Sequence, residues 1–96
     1  MKHRAIVMSR EDNVATALED LVANCAVGVR DGAELKATIL KEEIPFGHKF
    51  ATETILRGTS VIKYGQVIGA ATQDIQAGAH AHVHNVESLR GRGDKQ

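Results

Sequence analysis

The stretch HAHVHN, residues 80–85, carries three of the five histidines of the chain at alternate positions. Alternate residues of a β-strand project to one face. His80, His82 and His84 are therefore expected to point together, with Ala81 and Val83 turned the other way, toward a core. Same-face residues lie roughly 6.6–6.8 Å apart along a strand. Two such imidazoles can converge on one ion through bonds of about 2.0–2.1 Å. A third on the same straight strand reaches it less easily, so a group from elsewhere or a bound ligand would complete the set. The metal candidates are His80, His82 and His84, and neutral imidazole does not choose among zinc, iron, copper and nickel. A substrate-binding row and an exposed, ligand-free strand are the alternatives.

His48 is the natural outside contributor, since it follows Gly47 at a turn. Together with Lys49, a compact point charge, it could instead bind a carboxylate. Tyr64 and Lys63, in VIKYG, read equally as strand-end residues or as pocket residues. Substrate-binding candidates are thus His48, Lys49 and Tyr64. His3, near the terminus, is expected to be solvated. Cys25 is the only cysteine, so no internal disulfide can form. It reads as a small apolar residue packed at a helix end, with no base beside it in sequence to make it a nucleophile.

The elements that must position these residues are short. HRAIVM (3–8) suits an opening strand. In residues 9–24 the period changes, with Val14, Ala17, Leu18, Leu21 and Val22 at helical spacing. With Asp12 as N-cap and Asn24 as terminator, this predicts one α-helix at about residues 12–24. VGVR-DG-AELKATIL reads as a hairpin around Asp31-Gly32. Beyond residue 40, IPFGHKF, ILRGTSV and IQAGAHAHV each carry Ile, two residues and Gly before a strand-like stretch. The isoleucines are unequally spaced, which rules out a solenoid. Each Ile instead anchors to the core and each Gly takes a positive-φ turn position. VIKYGQVIGAATQ (61–73) adds another turn and strand. The fold expected is mostly β with one α-helix, in a single domain over residues 1–88. The polar residues 89–96, with Arg90, Arg92, Asp94 and Lys95, read as a tail or linker.

Ninety-six residues suffice for one domain with a thin core, aliphatic because only Phe46, Phe50 and Tyr64 are aromatic. Twelve basic residues balance twelve acidic ones, which argues against an electrostatic grip on nucleic acid or an anionic membrane. No long apolar run opens the chain, so neither a signal segment nor a membrane span is expected, and a cytoplasmic location is.

IPFGHKFA, GTSVIKYGQVIGAATQDIQAG and HAHVHN closely resemble the small SAF domain of the altronate/galactarate dehydratase family, over about residues 3–90. That resemblance implies a β-clip fold, with DNVATALEDL as the family's N-terminal helix. It implies a hydro-lyase that removes water from sugar acids such as D-altronate, giving 2-keto-3-deoxy acids, with a divalent metal such as Fe²⁺. Related two-subunit members eliminate sulfite from sulfolactate. The chain resembles a stand-alone small subunit, and a fragment of a longer enzyme would look the same. It offers histidines but no dense carboxylate group, so a large catalytic subunit is the expected partner. His48, Lys49 and the His80/His82/His84 face would line the mouth of its active site. A non-catalytic module binding a sugar acid or metal is the reading from a different class, and self-association into a homo-oligomer is compatible with either.

Overall fold

A computed structural model describes residues 2–88. They form nine strands: β1 (His3–Val7), β2 (Val14–Ala17), β3 (Ala26–Asp31), β4 (Glu34–Ile39), β5 (Lys49–Ala51), β6 (Ser60–Lys63), β7 (Gln66–Ala71), β8 (His80–Ala81) and β9 (Val86–Ser88). One sheet runs β4-β3-β1-β2-β5-β8 and a smaller one β6-β7-β9. The β1–β3 pair is parallel and the other pairs are antiparallel. The tail assigned to residues 89–96 lies outside the described residues, its charged positions included.

The all-β architecture of a β-clip is present, but the α-helix expected at about residues 12–24 is not: no helix occurs among the described residues. Asp12 does not cap anything helical. Its buried carboxylate accepts the N–H groups of Met8 and Ser9 and, across the molecule, those of Tyr64 and Gly65, at 2.8–3.1 Å. Asn13 next to it bonds Ser60 and Ile62 of β6 through its amide. These partners draw the chain into strand β2, where Val14, Ala15 and Ala17 are all buried, which no amphipathic helix would require. Leu18 and Val22, assigned to the apolar face of the helix, are 43% and 61% exposed. Cys25, accordingly, sits half-buried just before β3 rather than at a helix end.

What replaced the helix is a fourth copy of the Ile-x-x-Gly turn. Leu21, Ile44, Ile55 and Ile75 are buried anchors, and three residues after each comes a positive-φ residue: Asn24, Gly47, Gly58 and Gly78. Four residues before each anchor lies another buried apolar side chain, Ala17, Leu40, Ala51 or Ala71. The anchors pair as main-chain bridges, Leu21 with Ile44 and Ile55 with Ile75. Each bridge is clamped the same way: Asp20 accepts the N–H of Phe46, and Asp74 that of Arg57, both at 2.8 Å. The apolar spacing at Ala17 and Leu21 is four, the spacing of a helix face, and this is why the first copy reads as helical.

The expected hairpin is present, but its two-residue loop is Gly32-Ala33 rather than Asp31-Gly32, because Asp31 ends β3 and pairs with Glu34. The anchors sort into two small cores, one around Leu21, Ile44, Leu40 and Phe50 and one around Ile55, Ile75, Val61 and Ala81. Strand β5 lies between them, since Phe50 belongs to the first and Ala51 to the second. The segment bearing His48 and Lys49 is thereby fixed from both sides.

Candidate functional site

His48 follows the second turn, with its carbonyl bonded by Ala17 N–H at 2.9 Å and its own N–H bonded to the Pro45 carbonyl at 3.0 Å. His80 follows the fourth turn, on β8. The β5–β8 register pairs Phe50 with His80 and Lys49 with Ala81, so its continuation sets His48 against His82. The strand ends at Ala81, however. Residues 82–85 make a turn, closed by bonds from the Asn85 and Val86 N–H groups to the His82 carbonyl. Strict alternation therefore stops short of His84, and Val83, expected to pack inward, is 82% exposed. Ala81 is fully buried, as alternation requires.

Three imidazoles gather here. Ligand nitrogens of His48, His80 and His82 all lie within 4.8 Å of one another. His48 Nδ1 and His80 Nε2 are 2.9 Å apart, a contact in which one ring donates and the other accepts. The His80 and His82 rings stack at 5.1 Å between centroids with a 9° tilt, and His48 stacks on His82 at 4.7 Å. His84 is exposed, with its ring 5.7 Å from that of His80 and tilted by 48°. It is not one of the converging three. His3 lies half-buried in β1 and is not one of them either.

Two residues that carried no signal of a role hold the main chain of two of the three. Asn85, buried, accepts the His82 N–H at 2.9 Å through Oδ1 and donates Nδ2 to the His80 carbonyl at 2.8 Å, so one side chain fixes both histidines. An asparagine ending a polar run is an ordinary turn signal, and only the fold shows which carbonyl it reaches. Glu42 accepts the His80 N–H at 2.9 Å, and nothing in its sequence neighbourhood marks it.

Electrostatics favour the neutral forms of His80 and His82. Burial, then the neighbouring His48 and His82, hold His80 below the usual imidazole range, while Glu42 pulls weakly the other way. His82 is lowered too, by burial first and then by His48, Lys49 and His84. Lys49, half-buried, has its ammonium pushed down by burial and by the charge of Lys63.

Lys49 and His82 also reach a cavity of about 190 Å³ walled by Ile68, Ala81, Val83 and Val86. Tyr64 does not line it. With Gly65, Tyr64 forms the positive-φ turn between β6 and β7, its N–H on Asp12; the residue is 61% exposed, with the Lys63 ammonium over its ring at 5.3 Å. Of the substrate-binding candidates, His48 belongs to the cluster, Lys49 lies next to it in the chain, and Tyr64 is a turn residue.

The donor set suits a first-row divalent ion. Nitrogens bound at about 2.0–2.1 Å stand roughly 3.0–3.4 Å apart at ordinary ligand angles; the His48–His80 pair, at 2.9 Å, is near that spacing, and His82 lies within 4.8 Å of both. One of the His48–His80 pair must move its proton to the other ring nitrogen to ligate. Water, substrate or a partner's side chain would take the remaining positions.

Comparison with known proteins gives a consistent picture. A family model described as the altronate/galactarate dehydratase SAF domain matches residues 3–89. Altronate dehydratase of Escherichia coli (strain K12) is 44% identical over 77 residues, 80% of this chain and 15% of that protein. Altronate dehydratase of Bacillus subtilis (strain 168) is 40% identical over 83 residues, 86% of this chain and 16% of that protein. The (2R)-sulfolactate sulfo-lyase subunit alpha of Paracoccus pantotrophus is 38% identical over 60 residues, 62% of this chain and 88% of that subunit. The chain thus spans about one-sixth of the length of the dehydratases it matches.

Proposed function

The chain belongs to the altronate/galactarate dehydratase SAF-domain family, and on that footing we propose that it completes the active site of a sugar-acid hydro-lyase, with a larger catalytic partner supplying the rest. The observation that carries this reading is the convergence of His48, His80 and His82 from two separated segments, beside a cavity that also exposes a lysine. A trio with a single structural purpose would need no such opening.

Water elimination next to a carboxylate needs a base for the C2 proton, positive charge for the enediolate and an acid for the departing hydroxyl. A divalent metal such as Fe²⁺ held by the three imidazoles would supply Lewis acidity toward substrate oxygens. Depressed pKa values leave His80 and His82 neutral near pH 7, the state needed to ligate a metal or to accept a proton. Asn85 and Glu42 hold the main chain of these residues in place. None of these side chains supplies a second acid–base pair, which is the part left to the partner.

Sulfo-lyase chemistry is the second reading, favoured by the match to most of a sulfolactate sulfo-lyase alpha subunit. Altronate and sulfolactate share a 2-hydroxycarboxylate head and differ in the group lost from C3. Co-expression of the chain with the large subunit decides between them. Formation of 2-keto-3-deoxy acid from altronate supports the dehydratase, and sulfite release from sulfolactate supports the sulfo-lyase. Neither product from a stable complex leaves a non-catalytic binding module and refutes the lyase role.

A further inference from the structure

Lys49 has an unusual situation for a cation. It is half-buried at the edge of the mainly apolar cavity walled by Ile68, Ala81, Val83 and Val86, with Ser88 and His82 as its polar lining. Among the described residues no carboxylate lies within ion-pair distance of it, whereas Lys36 and Arg4 both have acidic partners. The charge acting on it most is a second cation, Lys63. A long side chain this flexible would ordinarily swing its charge into open water. One kept against apolar walls without a counter-charge is suited to receive an anion, and the walls strengthen the attraction by displacing water.

The cavity size and its neighbour define the anion. At about 190 Å³ it is smaller than the roughly 300–1,000 Å³ typical of sites that engulf a whole small molecule. It accepts the head of an acid and leaves the tail outside. His82 belongs both to this cavity and to the imidazole trio. It is thus the imidazole that a hydroxyl next to a carboxylate seated on Lys49 would meet.

We propose that the Lys49–His82 cavity is a head-group pocket for 2-hydroxycarboxylates, with Lys49 binding the carboxylate and the histidine face receiving the 2-hydroxyl. The pocket would read the part that altronate and sulfolactate have in common, leaving discrimination between leaving groups to the partner. The identity of the acid rests on the lyase reading above, but the anion site itself does not.

The test is a titration of the isotope-labelled, chelator-treated chain with glycolate, followed by backbone amide shifts. Saturable shifts at Lys49, His82 and Val83 are expected, with a dissociation constant on the order of millimolar. Glycolamide, the neutral analogue, should produce none. Acetate should bind at least about twofold more weakly, as the loss of one hydrogen bond implies. Lys49→Met, which keeps the apolar stem, should weaken glycolate at least about tenfold, while Lys49→Arg should retain binding and so report on folding. Equal responses to glycolate and glycolamide, wild-type affinity in Lys49→Met, or no saturation in the wild type would overturn the pocket. Equal affinity for acetate would overturn the 2-hydroxyl part. If glycolate binds at Lys49 but the subunit complex makes no product, the lyase reading fails and the pocket stands.

Discussion

Replacing Asn85 by alanine tests whether one side chain sets both the stability and the spacing of the histidine cluster. The amide makes two bonds, to His82 N–H at 2.9 Å and to the His80 carbonyl at 2.8 Å, from a residue only 5% exposed. Alanine leaves both main-chain groups without those partners, and each loss costs about 1–3 kcal/mol. Because His80 and His82 are only half-buried, water can relieve part of this, which favours the lower end, about 2 kcal/mol in total. For a domain of this size that lowers Tm by roughly 8–16 °C. Metal affinity, followed by competition with a chromophoric chelator well below the lowered Tm, should fall about 10–100-fold, as it does when groups supporting a ligand are removed. Val83→Ala, on the same turn but 82% exposed, should change neither quantity. A Tm within about 2 °C of wild type would show that the two bonds contribute nothing net. A destabilised but folded variant with wild-type metal affinity would show that Asn85 does not govern the imidazole spacing.

Three further outcomes are expected. His48→Ala and His82→Ala should each lose bound metal in elemental analysis, whereas His84→Ala should keep it, because only the first two belong to the converging trio. The metal-free domain should lose stability on acidification. The folded pKa values of His80 and His82 lie below the usual value, so below about pH 6.5 the unfolded chain binds more protons. Stability is therefore complete above that pH and declines beneath it, and His48→Ala, which removes a repulsive neighbour of both rings, should flatten the decline in Tm measured from pH 7 to 5. Gly78→Ala should be far more damaging than Gly47→Ala in chemical denaturation. Both sites have positive φ, but an added Cβ at Gly78 would overlap the Ile39 carbonyl oxygen, while at Gly47 it would meet open space. About 1 kcal/mol is expected at Gly47 and several times that at Gly78.

The anchors at Ile44, Ile55 and Ile75 were legible in the sequence because an isoleucine and a glycine three residues apart each have a distinct physical duty, burial and positive φ. The copy at Leu21 was not, because Asn24 stands where the others have Gly and the intervening apolar residues imitate a helix face. Asp12 misled for a related reason: a carboxylate that accepts N–H groups near the start of an apolar run is the mark of a helix cap. Here half of its donors arrive from Tyr64 and Gly65, some fifty residues later. His80 and His82 were found by type and spacing, and His48 was singled out beside them. The exclusion of His84 depends on the turn at residues 82–85, which Asn85 enforces through main-chain bonds that leave no periodic trace.

The four turns also separate scaffold from chemistry. Their shape resides in an anchor, a clamp and one positive-φ residue, none of which is an imidazole. The residue following the positive-φ position is Cys25 in the first copy, His48 in the second, Thr59 in the third and Ala79 in the fourth. The four copies carry a thiol, an imidazole, a hydroxyl and a methyl group at that position. Such a position can change its reactivity by a single substitution without renegotiating the fold. The domain therefore behaves as a frame with interchangeable fittings, in which one turn can be re-equipped while the other three hold the sheets together.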